Sequence, residues 1–333
     1  MSSKSILITG GAGFIGSNFI NKFTPKYADY TIVCIDLLTY ASNESYKSFK
    51  SQFKNFEFYE EDVRNFDAID QLFVKHNISD VIHFAAESHV DNSISSPDNF
   101  ISTNINGTFQ LLKSCLKNWD LKDKAHRFVH VSTDEVYGSL GDNGFFTEDS
   151  KYAPNSPYSA SKAASDFLVR SYHHTYGLNT VITNCSNNYG PFQYDEKLIP
   201  TIIRNAINNN PIPIYGNGQN IRDWLFVEDH CDALDLVFHS GVSGETYLIG
   251  GNNEKNNLNL ALFICEILDK KHPSTNQNSY KELISFVEDR KGHDYRYAID
   301  SSKIKNELKW SPKVSLEEGM LNTVNWYINK YRK

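Results

Sequence analysis

The sequence has no cysteine pair in Cys-x-x-Cys spacing, and no apolar run approaches the roughly 18 residues of a membrane span. Its five cysteines, Cys34, Cys115, Cys185, Cys231 and Cys265, are odd in number, widely scattered and mostly set in apolar runs. That pattern speaks against a disulfide framework or a zinc ribbon and for core thiols in a reducing compartment. The first apolar stretch, Ile6 to Ile8, is too short for a signal-peptide core and ends in glycines, so a cytoplasmic protein is expected. Positive charge is also scarce: 33 basic residues stand against 40 acidic ones, a formal net charge of −7, which leaves no broad phosphate-binding surface for nucleic acid. Internal repeats and long low-complexity segments are absent as well. Small molecules, with neither nucleic acid nor membrane, are the expected partners.

What the first half does contain is a series of short apolar runs, "SILITG", "YTIVCID", "FEFYEED", "DVIHFAA", "RFVHVST" and "TVITNC", each separated from the next by a helix-length segment. Strands alternating with helices predict parallel βαβ units. Several runs are apolar on successive positions, so both faces of the sheet should be covered by helices, an α/β, doubly wound parallel sheet. After about Cys185 the pattern loosens into Asn-, Gly- and Pro-rich stretches. The expected division is a Rossmann-like dinucleotide-binding domain over 1–185 and a smaller substrate-binding lobe over 186–333, with some segments of the second part returning to the sheet.

The first strand runs into "TGGAGFIGSNF", which puts Gly10, Gly13 and Gly16 at three-residue intervals before an amphipathic helix. Glycines there let the backbone turn tightly, approach a pyrophosphate and pack helix on strand. The second strand ends in Asp36, twenty residues beyond Gly16. A carboxylate at that point accepts hydrogen bonds from an adenosine ribose and repels a 2′-phosphate, which favours NAD over NADP. Asp62 and Val63, after the third strand, sit where an adenine edge is read; the competing reading makes Asp62 a helix cap.

Further on, "PNSPYSASKAASDFLVRSY" has prolines suited to a helix start, and it places Tyr158 and Lys162 four residues apart on one helical face. A lysine ammonium beside a phenol favours phenolate, so Lys162 is expected to lower the Tyr158 pKa toward neutrality and ready it to take a proton from an alcohol. The adjacent His173 and His174 point about 100° apart on a helix, with no carboxylate beside them, and no metal is expected.

The glycine triplet together with Tyr-x-x-x-Lys resembles the extended short-chain dehydrogenase/reductase family. Within it, "GGAGFIGSNF", "LLTYA", "HFAAESHVD", "STDEVYG", "NSPYSASKA", "CSNNYGP", "EKLIP", "IRDWLFVEDH", "GGNNEKNNL" and "DRKGHDYRYAID" resemble the strings of the dTDP-glucose 4,6-dehydratases. The resemblance implies a hydro-lyase with tightly bound NAD that forms a 4-keto-6-deoxy sugar for deoxysugar and cell-surface polysaccharide biosynthesis. Tyr158 would take the C4 hydroxyl proton with Thr133 on the same oxygen, Glu135 the C5 proton, and a protonated Asp134 would serve the departing C6 oxygen. Phe14, Ile15, Thr39, Ala85, Ala86, Ser88, Thr103, Lys162 and Asn188 would join the cofactor set. Ser88, Thr133, Asn187, Lys197, Leu198, Pro213, Tyr215, Arg222, Asn253, Arg290 and His293 would hold the nucleotide sugar, with Arg222 bidentate on its diphosphate. A surface ion pair of Arg222 with Asp223 or Glu228 is the plainer alternative for that residue. A homodimer is implied, through a four-helix interface made by the segment from about Ser159 and the segment after Asn99.

The chain departs from those strings at Asn92, where arginine is typical, after Ala41 in "LTYASNES", and at Tyr295, where arginine is again typical. None of these positions belongs to the proton-transfer set. Alternatives kept open are a 4,6-dehydratase acting on UDP-glucose or UDP-N-acetylglucosamine, a UDP-sugar 4-epimerase, which has no need of an acid and base at Asp134 and Glu135, and a catalytically idle NAD-sensing regulator, which would be expected to have lost Tyr158 or Lys162.

Overall fold

The structure, a computed structural model, describes residues 4–122 and 125–331. All six apolar runs form strands: β1 (Ser5–Thr9), β2 (Thr31–Asp36), β3 (Phe56–Glu60), β4 (Asp80–His83), β5 (Arg127–Thr133) and β6 (Thr180–Cys185). Between them lie α1 (Phe14–Lys26), α2 (Ser45–Gln52), α3 (Phe66–His76), α4 (Val90–Ser95), α5 (Pro97–Phe100), α6 (Thr108–Asn118) and α7 (Pro157–Tyr176), with a π-helical stretch, Ile101–Gly107, joining α5 to α6. The strands pair in parallel in the order β3-β2-β1-β4-β5-β6. Strand order reverses between β1 and β4, and in such sheets the crevice beyond the carboxyl ends of those two strands is where ligands bind.

Alternation along β1 shows why both faces are covered. Ile6 and Ile8 point to one side and pack with Phe19, Ile20 and Phe23 of α1, whereas Leu7 points to the other and packs with Ile69 and Phe73 of α3 and Leu111 of α6. The start and end of α7 follow from its sequence. Ser156 and Ser159 form a capping box, Pro157 takes the first helical position, and Gly177, at φ 75°, closes the helix in the left-handed region.

Beyond Cys185 the chain forms β7 (Asn187–Tyr189), α8 (Leu198–Ile207), β8 (Ile212–Tyr215), β9 (Ile221–Phe226), α9 (Val227–Ser240), β10 (Thr246–Ile249), β11 (Glu254–Asn256), α10 (Asn257–Lys271), β12 (Ile284–Val287), α11 (Ser302–Leu308) and α12 (Leu316–Tyr331). β10 pairs in parallel with β6 as the seventh strand of the main sheet, and Leu234 and Phe238 of α9 bury against the face that also holds α1. The helices α8, α10 and α12 enclose a separate apolar cluster around Ile202, Ile264 and Tyr327. All five cysteines are buried and unpaired, and among the described residues no helix is long and apolar enough to cross a membrane.

Candidate active site

Gly10 follows β1 at φ +70°, and a Cβ on it would stand 2.6 Å from the backbone nitrogen of Ala85. A Cβ on Gly16 would stand 2.3 Å from the carbonyl oxygen of Gly10, so α1 starts as close to the strand as backbones allow. The first turn of α1 carries no acidic residue and no side-chain cap, which leaves its N–H groups and the positive end of its dipole at the cleft. The cleft has a volume of about 320 Å³. Gly10, Gly13, Phe14, Ile15, Gly16, Asp36, Thr39, Asp62, Val63, Ala85, Ala86, Ser88 and Thr103 line its first half, and Thr133, Glu135, Tyr158, Lys162, Asn187, Asn188 and Lys197 line the rest. A side-chain-free cradle at a helix N-terminus with a carboxylate at the end of β2 fits a dinucleotide.

Asp36 also organises the loop. Its Oδ2 accepts from the Ala12 amide at 2.9 Å, and its Oδ1 accepts from the Leu38 amide and the Ser42 hydroxyl, each at 2.9 Å. The altered stretch after Ala41 therefore braces the cofactor end, and Asn43 adds a bond to the Ser17 hydroxyl at 2.9 Å. The reading of Asp62 as a helix cap is corrected: Asn65 caps α3, while Asp62 takes the Arg64 guanidinium on both oxygens, Nε at 2.9 and 2.8 Å. Burial pushes the Asp62 carboxyl up, but Arg64 outweighs it and holds the pKa below the usual carboxylate value.

The two neighbouring acids have different surroundings. β5 ends at Thr133, whose hydroxyl accepts from the Glu135 amide at 3.3 Å, and a single 3₁₀ turn, Asp134–Tyr137, follows. Glu135 is on the cleft wall. Asp134 is not; it is 1 % exposed behind the wall, 3.4 Å from the Thr133 hydroxyl, with Oδ2 lacking any partner. Burial, then the charges of Glu135 and Asp223, push the Asp134 pKa well above the carboxylate range. Burial also raises Glu135, but three cations, Arg290, Arg222 and Lys197, oppose it there. Both acids are thus raised; Arg222 opposes the rise at both, and Arg290 and Lys197 oppose it at Glu135.

Tyr158 and Lys162 share the buried face of α7, as their spacing predicts. The expectation that Lys162 brings the phenol toward neutrality is not met in the chain by itself. Burial, followed by the charge of Glu135, holds Tyr158 well above its ordinary value, with the Thr133 hydroxyl beside it opposing. Lys162 is itself lowered by burial to about 8, and its ammonium donates to the Val131 carbonyl at 2.9 Å.

The residues expected around the substrate are placed unevenly. Lys197 donates to the Ser88 carbonyl at 2.7 Å on the cleft wall. Arg222 is no surface ion pair: it is 5 % exposed, donates to the carbonyls of Ile221 at 2.7 Å and Asp294 at 2.9 Å, and lies 4.2 Å over the Tyr297 ring. Tyr215, Arg290 and His293 gather at Asp91 and Asp289, through a 3.2 Å bond from the Tyr215 hydroxyl to Asp91 and a 2.6 Å contact of His293 with Asp289. Pro213 sits in β8 beside β12. Leu198 packs into the C-terminal cluster, and the Asn253 amide turns back to Gly251 O at 2.8 Å, so neither side chain joins the cleft. His173 bonds the Leu178 carbonyl at 2.9 Å.

Several wall residues escape the sequence reading. Glu87 and Glu196 line the cleft, each next to a residue selected from the strings "FAAESH" and "EKLIP". Asn104, buried in the π-helical stretch, clamps Glu87 by accepting from its amide at 2.8 Å and donating to its carbonyl at 3.0 Å. A π turn carries no sequence signature, so nothing in the string announces it.

A helix bearing Tyr-x-x-x-Lys laid against the strand that ends in Thr133, across a glycine-cradled crevice, is the arrangement of an extended short-chain dehydrogenase/reductase. A protein-family model described as GDP-mannose 4,6 dehydratase matches residues 7–323. The dTDP-glucose 4,6-dehydratase of Xanthomonas campestris pv. campestris is 48 % identical over 326 residues, 97 % of this chain and 92 % of that one. Among solved structures, dTDP-glucose 4,6-dehydratase from Bacillus anthracis, in complex with NAD, superposes with a TM-score of 0.87 at 44 % identity, covering 99 % of this chain and 98 % of that one. The Streptomyces venezuelae dTDP-glucose 4,6-dehydratase superposes with a TM-score of 0.89 at 41 % identity, covering 98 % of each chain. The chain belongs to the dTDP-glucose 4,6-dehydratase family.

Proposed function

We propose that this chain catalyses the NAD-dependent 4,6-dehydration of a nucleoside-diphosphate hexose, converting dTDP-glucose to dTDP-4-keto-6-deoxyglucose. The observation that carries the reading is the placement of two adjacent acids at the strand end beside Tyr158, Glu135 on the cleft wall and Asp134 buried directly behind it. Oxidation at C4 needs one base, and loss of the C6 hydroxyl needs a further base and an acid.

In this reading Tyr158 takes the proton of the C4 hydroxyl while Thr133 hydrogen-bonds the same oxygen. The glycine loop, the α1 N-terminus, Asp36 and Lys162 would hold NAD, which would supply the hydride acceptor for C4 and the hydride donor for C6. The 4-ketone acidifies C5–H; Glu135 takes that proton and gives it back to C5 when hydride arrives at C6. Asp134, buried behind the wall and 3.4 Å from the Thr133 hydroxyl that lines it, supplies through that hydroxyl the proton for the C6 oxygen, which leaves as water. Lys197, Arg222 and Arg290 carry the positive charge that faces Glu135 and suits a diphosphate close to it.

Incubation with dTDP-glucose, UDP-glucose and UDP-N-acetylglucosamine, with the 4-keto product followed in alkali and the mass by spectrometry, tests this reading. Loss of water from dTDP-glucose is expected; a C4-inverted sugar of unchanged mass would make the chain an epimerase. We place the enzyme in the cytoplasm as a homodimer. Ile101 and Phe109, in the helical stretch after Asn99, and Phe167 on α7 are 55, 36 and 57 % exposed, apolar surface on the two segments expected to pair. A monodisperse monomer at micromolar concentration in light scattering would refute the pairing.

A further inference from the structure

Behind the catalytic face of α7 lies a polar network that the mechanism above does not use. Asp166 follows Lys162 by one helical turn, as Lys162 follows Tyr158, and its side chain is 1 % exposed. Its Oδ2 accepts from the Tyr152 hydroxyl at 2.9 Å and from the Asn184 amide at 3.2 Å. The same amide donates to the Thr133 carbonyl at 3.0 Å, which ties α7 through β6 to the end of β5. On the other side His130 Nε2 stands 3.2 Å from Asp166 Oδ1 and 3.2 Å from the Ser165 hydroxyl.

We propose that Asp166 is a positioning residue of the active site: a buried carboxyl one helical turn beyond Lys162 that, through Asn184, fixes the strand end carrying Thr133, Asp134 and Glu135 and completes the surroundings of Lys162. The groups facing Lys162 leave that role to Asp166. Tyr158 precedes it on α7, His130 approaches from β5, His83 from β4 and Cys185 from β6. His130 is pushed down by burial to about 4, and His83 is likewise held far below its ordinary value, so both rings are neutral near pH 7. Burial pushes the Cys185 thiol up to about 12, so it too is uncharged. Asp166 is the neighbour whose charge raises the Lys162 pKa against the burial that lowers it.

The inference rests on the dehydratase reading for its activity assay, and a second readout separates the two. With dTDP-glucose, the alkaline limb of the wild-type kcat profile is expected near the Lys162 value of about 8. In Asp166→Asn and Asp166→Ser the limb moves about one unit to lower pH, because a cation deprived of its counter-charge loses its proton sooner. Tyr152→Phe, which keeps the charge, leaves the limb in place. If the wild type does not turn over dTDP-glucose, the substrate assignment fails by itself; calorimetric binding of NAD as a function of pH then reads the same downward shift. Variant profiles that superpose on the wild type after scaling, an equal shift in Tyr152→Phe, or failure of both charge-removing variants to fold would each overturn the positioning role.

Discussion

At the glycine-loop end of the cleft the shape of the wall is set by close backbone approach at Gly10 and Gly16; at the other end the charge on the wall depends on side chains drawn from distant segments. Gly10 and Gly16 act through what they lack, since a Cβ on either would meet backbone atoms at 2.6 or 2.3 Å. Glu135, by contrast, owes its environment to Lys197, Arg222 and Arg290, none of which is near it in sequence. The first end tolerates no change of shape, whereas at the second the charges decide the chemistry and the shape is carried by α8, β9 and the loop around Arg290.

The sharpest way to break this contrast is to neutralise the acids without altering their shape. Glu135→Gln and Asp134→Asn are each expected to lower turnover by about 10²–10⁴, the usual cost of removing a general base or acid. Both should still pass hydride and accumulate NADH absorbance. Glu135→Gln should abolish solvent deuterium incorporation at C5, while Asp134→Asn retains it; Tyr158→Phe should show neither NADH nor exchange. Because burial raises the Glu135 pKa, its base form is lost as pH falls through a value above the ordinary glutamate range, and the acid limb of kcat lies there. Wild-type rates in both carboxamide variants would leave an oxidoreductase or epimerase on the same scaffold.

Shape is tested next, by Gly16→Ala. One methyl group at 2.3 Å from the Gly10 carbonyl must push α1 off the strand, and overpacking of this kind costs about 1–3 kcal/mol. A lower thermal midpoint and loss of bound NAD are expected together; a variant that keeps both would show that the loop is looser than its contacts imply.

The same contrast explains how much of the molecule could be read beforehand. The proline that starts α7 and the Tyr158–Lys162 spacing within it are local, and the structure reproduces them. The direction in which Asp134 and Glu135 point is not local: one turn residue faces the core and its neighbour the cleft, and only the packed sheet decides which. Arg222 finds its acceptor at Asp294, 72 residues away, and no pattern in "NIRDW" announces that. The seventh strand, "TYLI", is too short to stand out until β6 offers it an edge.

Asp36 belongs to both descriptions, a charge held by backbone. Asp36→Ala removes the ribose acceptor and also frees the Ala12 amide, the Leu38 amide and the Ser42 hydroxyl. NAD affinity should fall roughly 10- to 100-fold, the weight of one or two bonds to a charged group, and NADP affinity should fall less, so the preference narrows. Equal losses for both would mean that Asp36 serves the loop alone.

The smallest effect is expected at the rim, where the chain departs from the strings it resembles. Asn92 donates to the Tyr40 hydroxyl at 2.9 Å, and that hydroxyl donates to Glu196 on the cleft wall at 3.4 Å. Tyr40 is 49 % exposed, so water replaces the lost donor in Asn92→Ala and the net cost is at most about 1 kcal/mol. No proton-transfer group is touched, so kcat should stay within about twofold of wild type while KM for dTDP-glucose rises by at most about fivefold, the equivalent of that 1 kcal/mol. Asn92→Arg places a cation near Glu196 and should shift KM in the opposite direction or leave it unchanged. A tenfold fall in kcat for either variant would mean that the rim helps set the geometry at Glu135, and the division of the cleft into a backbone end and a charge end would then have to include the segment around Tyr40 in the second.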